Sequence, residues 1–232
     1  MTIRAVLLDA GGVILDESEH EAVRAEIMAE VLAAVVAGYS VEAYYADVEE
    51  AVRAFCPSVY QYVLWKHVKP DRGLYEGLWA KHVDEWKRRR PPIVLHAGVD
   101  KEIRAIARDL DLAIAGQYGR EVLALLEEHS LLDSFAHQVT QDDFQITKPD
   151  PRYHEQIAQA IGVEPKWCIM VGDRIDKDII PAKQVGMRTI RVRVGLHRNQ
   201  EPRIPFEVPD AELDGVSGLA AVVQHVGGEG KA

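Results

Sequence analysis

The stretch Arg4-Ala5-Val6-Leu7-Leu8-Asp9-Ala10-Gly11-Gly12-Val13-Ile14-Leu15-Asp16 decides the fold. Its near-continuous apolar run reads as a strand buried on both faces, the pattern of a parallel sheet. The run ends on Asp9, so the strand delivers a carboxylate to the carboxyl edge of the sheet, where open α/β sheets bind their ligands. Gly11 and Gly12 follow, and without Cβ atoms the backbone can turn sharply and approach a ligand or ion closely. Asp and Gly after a strand also serve plain turns, so the rest of the chain must decide between the two.

Residues 17–91 are helical in pattern throughout. Ala22, Ile27, Val31, Leu32 and Val35 fall at roughly helical spacing, and Gly38 is placed to stop that helix. Ser40 caps the next, over 41–55, and Pro57 suits the first position of a third that ends before Pro70. A fourth spans about 73–90, where Lys87-Arg88-Arg89-Arg90 matches the helix dipole rather than a nucleic acid. Past Pro91-Pro92, strand and helix alternate: helix 100–109, strand 112–115, helix 120–129, and a short strand near His137-Gln138-Val139. A helix opened by Asp150-Pro151 and closed by Gly162 follows, then strand 167–171, a helix to Val185 and strand 188–194. This is the spacing of βαβ units. The expected fold is α/β: a doubly wound parallel, Rossmann-like sheet over 1–16 and 92–232, with an all-helical cap over 17–91 inserted after the first strand.

Composition narrows the function. With 47% hydrophobic and 28% charged residues, the chain reads as an ordinary soluble globular protein, and 232 residues hold one good core plus a smaller insert. A formal charge of −10 repels nucleic acid and anionic membrane, so an anionic substrate needs a local cationic patch or a metal ion. Cys56 and Cys168 have neither disulfide-framework nor zinc spacing, and the nine histidines show no metal spacing. No stretch reaches the length of a membrane span, and Asp9 interrupts the N-terminal apolar run too soon for a signal peptide, so the expected setting is cytoplasmic. Monomer and homodimer both fit. The tail Gly227–Gly230 is expected to fray.

Three polar clusters fall after strands or in loops on what should be one sheet edge: Asp9 with Gly11 and Gly12, Lys148 in Thr147-Lys148-Pro149-Asp150-Pro151, and Gly172-Asp173-Arg174-Ile175-Asp176-Lys177-Asp178. A parallel sheet brings strand ends together whatever their separation in sequence, so Asp9, Asp173 and Asp178 should converge. Two carboxylates ~5 Å apart repel by roughly 3 kcal/mol at an effective dielectric near 20. Such a group either raises its pKa values or holds a cation. Oxygen ligands of this kind suit Mg²⁺, which shares its shell with phosphate oxygens. Lys148 would supply a further positive charge, keeping Asp9 ionised and neutralising an incoming anion.

In these residues the chain resembles the haloacid dehalogenase superfamily, in the branch with a helical cap between the first and second motifs. Leu7-Leu8-Asp9-Ala10-Gly11-Gly12-Val13 is similar to its first motif, Lys148-Pro149-Asp150-Pro151 to its third, and Val171-Gly172-Asp173 through Asp178 to its fourth. The resemblance implies a phosphatase of a small phosphorylated metabolite, with Asp9 as the nucleophile that forms an aspartyl-phosphate. It also implies Mg²⁺ held by Asp9, the Gly11 carbonyl and Asp173, with Asp178 supporting the ion or its waters, and Lys148 pairing with Asp9 and phosphate.

Two positions depart from the family pattern. The usual second Asp, the general acid and base, is Gly11 here, a loss worth ~10²–10⁴-fold that falls hardest on poor leaving groups. The second motif has Gly116-Gln117 where Ser or Thr and then Asn are usual, leaving Gln117 or backbone N–H groups of this segment to bind substrate. A non-catalytic binding module with this fold is the alternative that these glycines favour. A metal-independent 2-haloacid dehalogenase also lacks the second Asp, but Asp173 and Asp178 argue against it. Tyr60, Trp65, Lys66 and His67 share a cap helix and either face the site or pack in the core; Arg191, Arg193, His197, Arg198 and Arg203 read as a solvated basic loop.

Overall fold

In the computed structural model, which describes residues 2–138, 140–143 and 145–228, the chain forms two compact units, Met1–Asp16 with Ile93–Ala232, and Glu17–Pro92. In chain order the elements are β1 (Ala5–Leu8), β2 (Leu15–Asp16), α1 (Ser18–Ala33), α2 (Val41–Arg53), α3 (Val59–Val68), α4 (Arg72–Arg89), β3 (Val94–Leu95), α5 (Val99–Ile106) and β4 (Asp111–Ile114). There follow α6 (Glu121–Glu128), α7 (Pro151–Ala160), β5 (Cys168–Gly172), α8 (Ile180–Gln184), β6 (Arg188–Val192), β7 (Ala211–Leu213) and α9 (Leu219–Gly228).

The first unit is built on a five-stranded sheet in the order β4-β1-β5-β6-β7, and every pairing in it is parallel. All four residues of β1 are fully buried, as a central parallel strand requires. Because side chains alternate across a strand, β1 and β5 feed two separate cores. Val6, Leu8, Ile169 and Val171 pack with Ile103 of α5, Leu126 of α6 and Val223 of α9. Ala5, Leu7, Cys168 and Met170 pack with Tyr153 and Ile157 of α7 and Ala182 of α8. Three layers result, with helices on both faces of the sheet. The chain leaves β1 toward β4 on one side and later fills β5, β6 and β7 on the other, so the strand order reverses at β1/β5, where α/β sheets open a crevice.

Several elements differ from the sequence reading. β2 and β3 form a two-residue antiparallel ribbon, too short to show as alternation. β7 is a three-residue edge strand, and α9 runs on to Gly228, while Glu229–Ala232 lie outside the described residues. Of the strand expected at His137–Val139, His137 makes one isolated parallel bridge to Ala113, and Val139 lies outside the described residues. α3 begins at Val59 rather than Pro57, because the Ser58 hydroxyl caps it by accepting the Gln61 N–H at 3.4 Å.

The second unit is four helices, α1 to α4. Ser40 and Asp71 cap α2 and α4 by accepting the N–H groups of Ala43 and Leu74. Its interior is not purely apolar. Asp47 accepts from Tyr39 Oη at 2.7 Å and Lys66 Nζ at 2.6 Å, and lies 2.5 Å from His67 Nε2. Burial alone would raise the Asp47 carboxyl, but Lys66, His67 and Tyr39 outweigh it and hold it below the usual carboxylate range. Lys66 and His67 are thus committed inside this unit, and Trp65 sits edge-on to Tyr75. Tyr60 donates to Glu21, while the Arg24 guanidinium lies over the Tyr60 and Trp86 rings.

Burial pushes the Glu21 carboxyl up to about 7, against the opposing pull of Tyr60 and Arg24. The folded unit therefore holds a proton where the unfolded chain has released it, so stability declines as pH rises from the ordinary glutamate value toward about 7 and is flat above. The expected loss is about 3 kcal/mol. Glu21→Gln should raise Tm at pH values above 7 and leave it unchanged in mild acid; an equal shift at both ends would contradict this assignment.

Candidate active site

Two carboxylates arrive at one place because two neighbouring strands end together. Leu8 lies opposite Val171 in the β1–β5 pairing, and the Asp9 N–H extends the ladder by donating to the Val171 carbonyl at 2.8 Å. Asp9 follows β1 and Asp173 follows β5, one strand spacing apart. Asp178 closes the group from the π-helical turn Ile175–Ile179 that follows, its Oδ2 accepting the Arg174 N–H at 3.0 Å. Carboxylate oxygens of Asp9, Asp173 and Asp178 all lie within 4.8 Å of one another. Their relative exposures are 8%, 7% and 0%, so water alone does not screen them.

Lys148 enters from the segment before α7, which Asp150 caps by accepting the Arg152 N–H at 3.0 Å, with Pro151 at the first helical position. Its Nζ lies 3.0 Å from Asp9 Oδ1 and donates to Asp178 Oδ1. Burial by itself would drive the proton off this ammonium, but Asp178 and Asp9 outweigh it, and the pKa stands above the usual lysine value. One ammonium among three carboxylates leaves the group net negative. The donor set is all oxygen, and hard oxygen ligands with one cation short of neutrality fit Mg²⁺. Among the described residues this is the one cluster of three or more His, Cys, Asp or Glu within ligand reach of each other.

Gly116 ends the segment after β4 against the first motif. A Cβ there would lie 2.3 Å from Ala10 Cβ and 2.6 Å from Ala10 N, so only glycine fits. Tyr153 holds that segment, its hydroxyl donating to the Gly116 carbonyl at 2.9 Å. Gln117 comes next, and its Oε1 accepts from Lys177 Nζ at 3.1 Å. Gly172 is equally constrained: its Cβ would lie 2.3 Å from Asp178 Cγ. The structure therefore brings Asp9, Lys148, Asp173 and Asp178 into one group and sets Gly116, with Gln117 after it, beside Ala10. Gly11 stands in the turn after Asp9, bridged to Leu15.

Three further residues shape this edge. Tyr153 reads in the sequence as an apolar helix position. Gln200 accepts the Ile175 N–H at 2.7 Å and donates to Asp176 at 2.9 Å, fixing the turn that carries Asp178. Arg191 corrects the expectation of a solvated basic loop: it is fully buried in β6, donating to the Asp173 carbonyl at 3.3 Å, to Glu212 and to the His197 carbonyl. Its place between Ile190 and Val192, inside a strand expected over 188–194, was the signal for it. His197 is also buried, and burial first, then the Arg174 guanidinium, bring its imidazole down to about 3.

Comparison with known proteins places the chain in a family. The family model for haloacid dehalogenase-like hydrolases matches residues 3–186. A glyceraldehyde 3-phosphate phosphatase of Methanopyrus kandleri is 39% identical over 93 residues, 40% of each chain. The phospholysine phosphohistidine inorganic pyrophosphate phosphatase of Mus musculus is 23% identical over 248 residues, covering 93% of this chain and 92% of that one. The chain thus spans less than half the length of the first curated relatives it matches. Among solved structures, a predicted phosphoglycolate phosphatase from Haemophilus somnus superposes with a TM-score of 0.70 at 16% identity, covering 97% and 99% of the two chains. The HAD-hydrolase YfnB of Bacillus subtilis, bound to magnesium, superposes with a TM-score of 0.66 at 18% identity, covering 96% and 99%. The chain belongs to the haloacid dehalogenase-like hydrolases.

The close approach at Gly116 yields a test. Gly116→Ser, which supplies the hydroxyl usual in the family, should not improve the site but force Ala10 aside and destabilise the fold by about 1–3 kcal/mol in urea unfolding. Unchanged stability would show that the segment has room to spare.

Proposed function

We propose that this protein is a Mg²⁺-dependent phosphatase of a small phosphorylated metabolite, acting through an aspartyl-phosphate on Asp9. The observation that carries the reading is the convergence of Asp9, Asp173 and Asp178 within 4.8 Å, with Lys148 between Asp9 and Asp178. The printed names of the curated relatives, glyceraldehyde 3-phosphate phosphatase and phospholysine phosphohistidine inorganic pyrophosphate phosphatase, support the reaction class. Residues 1–16 and 92–232 would form the catalytic core and 17–91 the cap that selects substrate. The thiols of Cys56 and Cys168, not joined in a disulfide, suit a reducing, cytoplasmic setting.

Asp9 is the nucleophile: a carboxylate oxygen attacks phosphorus, the bond from phosphorus to the leaving oxygen breaks, and water then hydrolyses the acyl phosphate and releases inorganic phosphate. Asp9, Asp173 and Asp178, with the Gly11 carbonyl, would hold Mg²⁺, which supplies positive charge to the phosphoryl oxygens. Lys148 keeps Asp9 ionised and aimed, and adds charge against the developing transition state. The Gly116-Gln117 segment offers donors to the phosphoryl oxygens. With Gly11 in place of an acid, the departing oxygen takes its proton from water, from the substrate itself or from a cap residue, so good leaving groups are favoured.

On a panel of phosphate esters with Mg²⁺, Asp9→Asn and metal chelation should each lower turnover by at least about 10³-fold, roughly 4 kcal/mol of barrier. Full hydrolysis after either change would reject the reading. Chloride release from a 2-haloacid without metal would instead support a dehalogenase. Gly11 also favours a second reading, a non-catalytic module, which predicts Mg²⁺-dependent ligand binding with no turnover of any ester. Gly11→Asp should raise kcat/KM for alkyl phosphates by about 10-fold or more and for aryl or acyl phosphates much less; an equal gain across leaving groups would contradict this account of the missing acid.

A further inference from the structure

Two of the three donors of the Lys148 ammonium point at Asp9 and Asp178. That lysine is largely committed to holding the carboxylates. A second ammonium stands at the same edge. Lys177, the residue before Asp178, donates to Gln117 Oε1 at 3.1 Å, and among the described residues no other hydrogen bond engages its ammonium. Two of its donors therefore remain.

The surroundings keep Lys177 available. Asp176, its neighbour in sequence, is engaged by Arg174 at 2.6 Å and by Gln200 Nε2 at 2.9 Å, and among the described residues it makes no hydrogen bond to the ammonium. Gln117, the one partner of Lys177, follows the glycine pressed against Ala10, the residue next to Asp9. The pair thus bridges the second and fourth motifs at the place where the usual motif-two hydroxyl is missing and cannot be accommodated.

We propose that Lys177, tethered by Gln117, is a phosphate-binding residue that takes over the role of the absent hydroxyl. It would add a second positive charge at an edge that carries three carboxylates and must admit an anion. This rests on the reading above that a phosphoryl group occupies the edge.

The test compares wild type, Lys177→Gln, Lys177→Arg and Gln117→Ala with Mg²⁺ present. It measures the Kd for inorganic phosphate by calorimetry, KM and kcat for p-nitrophenyl phosphate, and Tm. Lys177→Gln should weaken phosphate binding about 10- to 100-fold and raise KM more than it lowers kcat, with Tm little changed. Lys177→Arg should recover binding to within about threefold, and Gln117→Ala, which frees the tether, should weaken it by at least about threefold. Phosphate binding within about twofold of wild type in Lys177→Gln overturns the proposal. If that variant does not fold, unchanged binding in Gln117→Ala overturns it instead. A wild type that binds no phosphate also overturns it. Lys177-dependent phosphate binding without turnover of any ester would remove the phosphatase reading and leave the phosphate site standing.

Discussion

The ammonium of Lys148, set between Asp9 and Asp178, is the contact on which the rest of this edge depends. Three buried carboxylates within 4.8 Å repel one another, each close pair by roughly 3 kcal/mol at an effective dielectric near 20. A single buried cation offsets part of that repulsion and leaves the group short of positive charge. A group in this condition attracts a further cation. The parallel sheet makes the arrangement possible, because β1 and β5 end side by side and deliver Asp9 and Asp173 without any need for proximity in sequence.

Much of this was legible in the chain. The apolar runs before Asp9 and over 167–171 became buried strands in their main parts, because strands buried on both faces announce themselves as apolar runs; 188–194, which carries three arginines, became β6 over Arg188–Val192 by its place in the strand–helix alternation. The convergence of Asp9, Asp173 and Asp178 followed from one rule, that residues after parallel strands meet at one edge; Lys148 follows no strand and comes from the segment before α7. What stayed hidden has physical causes. β2, β3 and β7 are two or three residues long, too short for a period to register. His137 makes a single bridge rather than a strand.

Other features are tertiary and leave no local mark. Gly116 looked like a missing functional group; in space it is a close approach, since any side chain there would meet Ala10. Arg191 looked like part of a basic surface and is instead a fully buried clamp on the Asp173 carbonyl and the His197 carbonyl. Tyr153 and Gln200 are ordinary residues by composition, yet one fixes the Gly116 carbonyl and the other the Ile175 N–H in the turn that carries Asp178. Lys66 and His67, polar and on one helix, are satisfied within their own unit by Asp47. Sequence reading finds the charges that chemistry needs and misses the neutral side chains that hold them still.

If the three carboxylates share a divalent ion, a calorimetric Mg²⁺ titration of wild type against Asp173→Asn shows it directly. One ion should bind per wild-type chain, and the heat of binding should vanish in the variant while its circular dichroism spectrum stays that of the folded protein. A variant that binds Mg²⁺ as tightly as wild type would contradict the account.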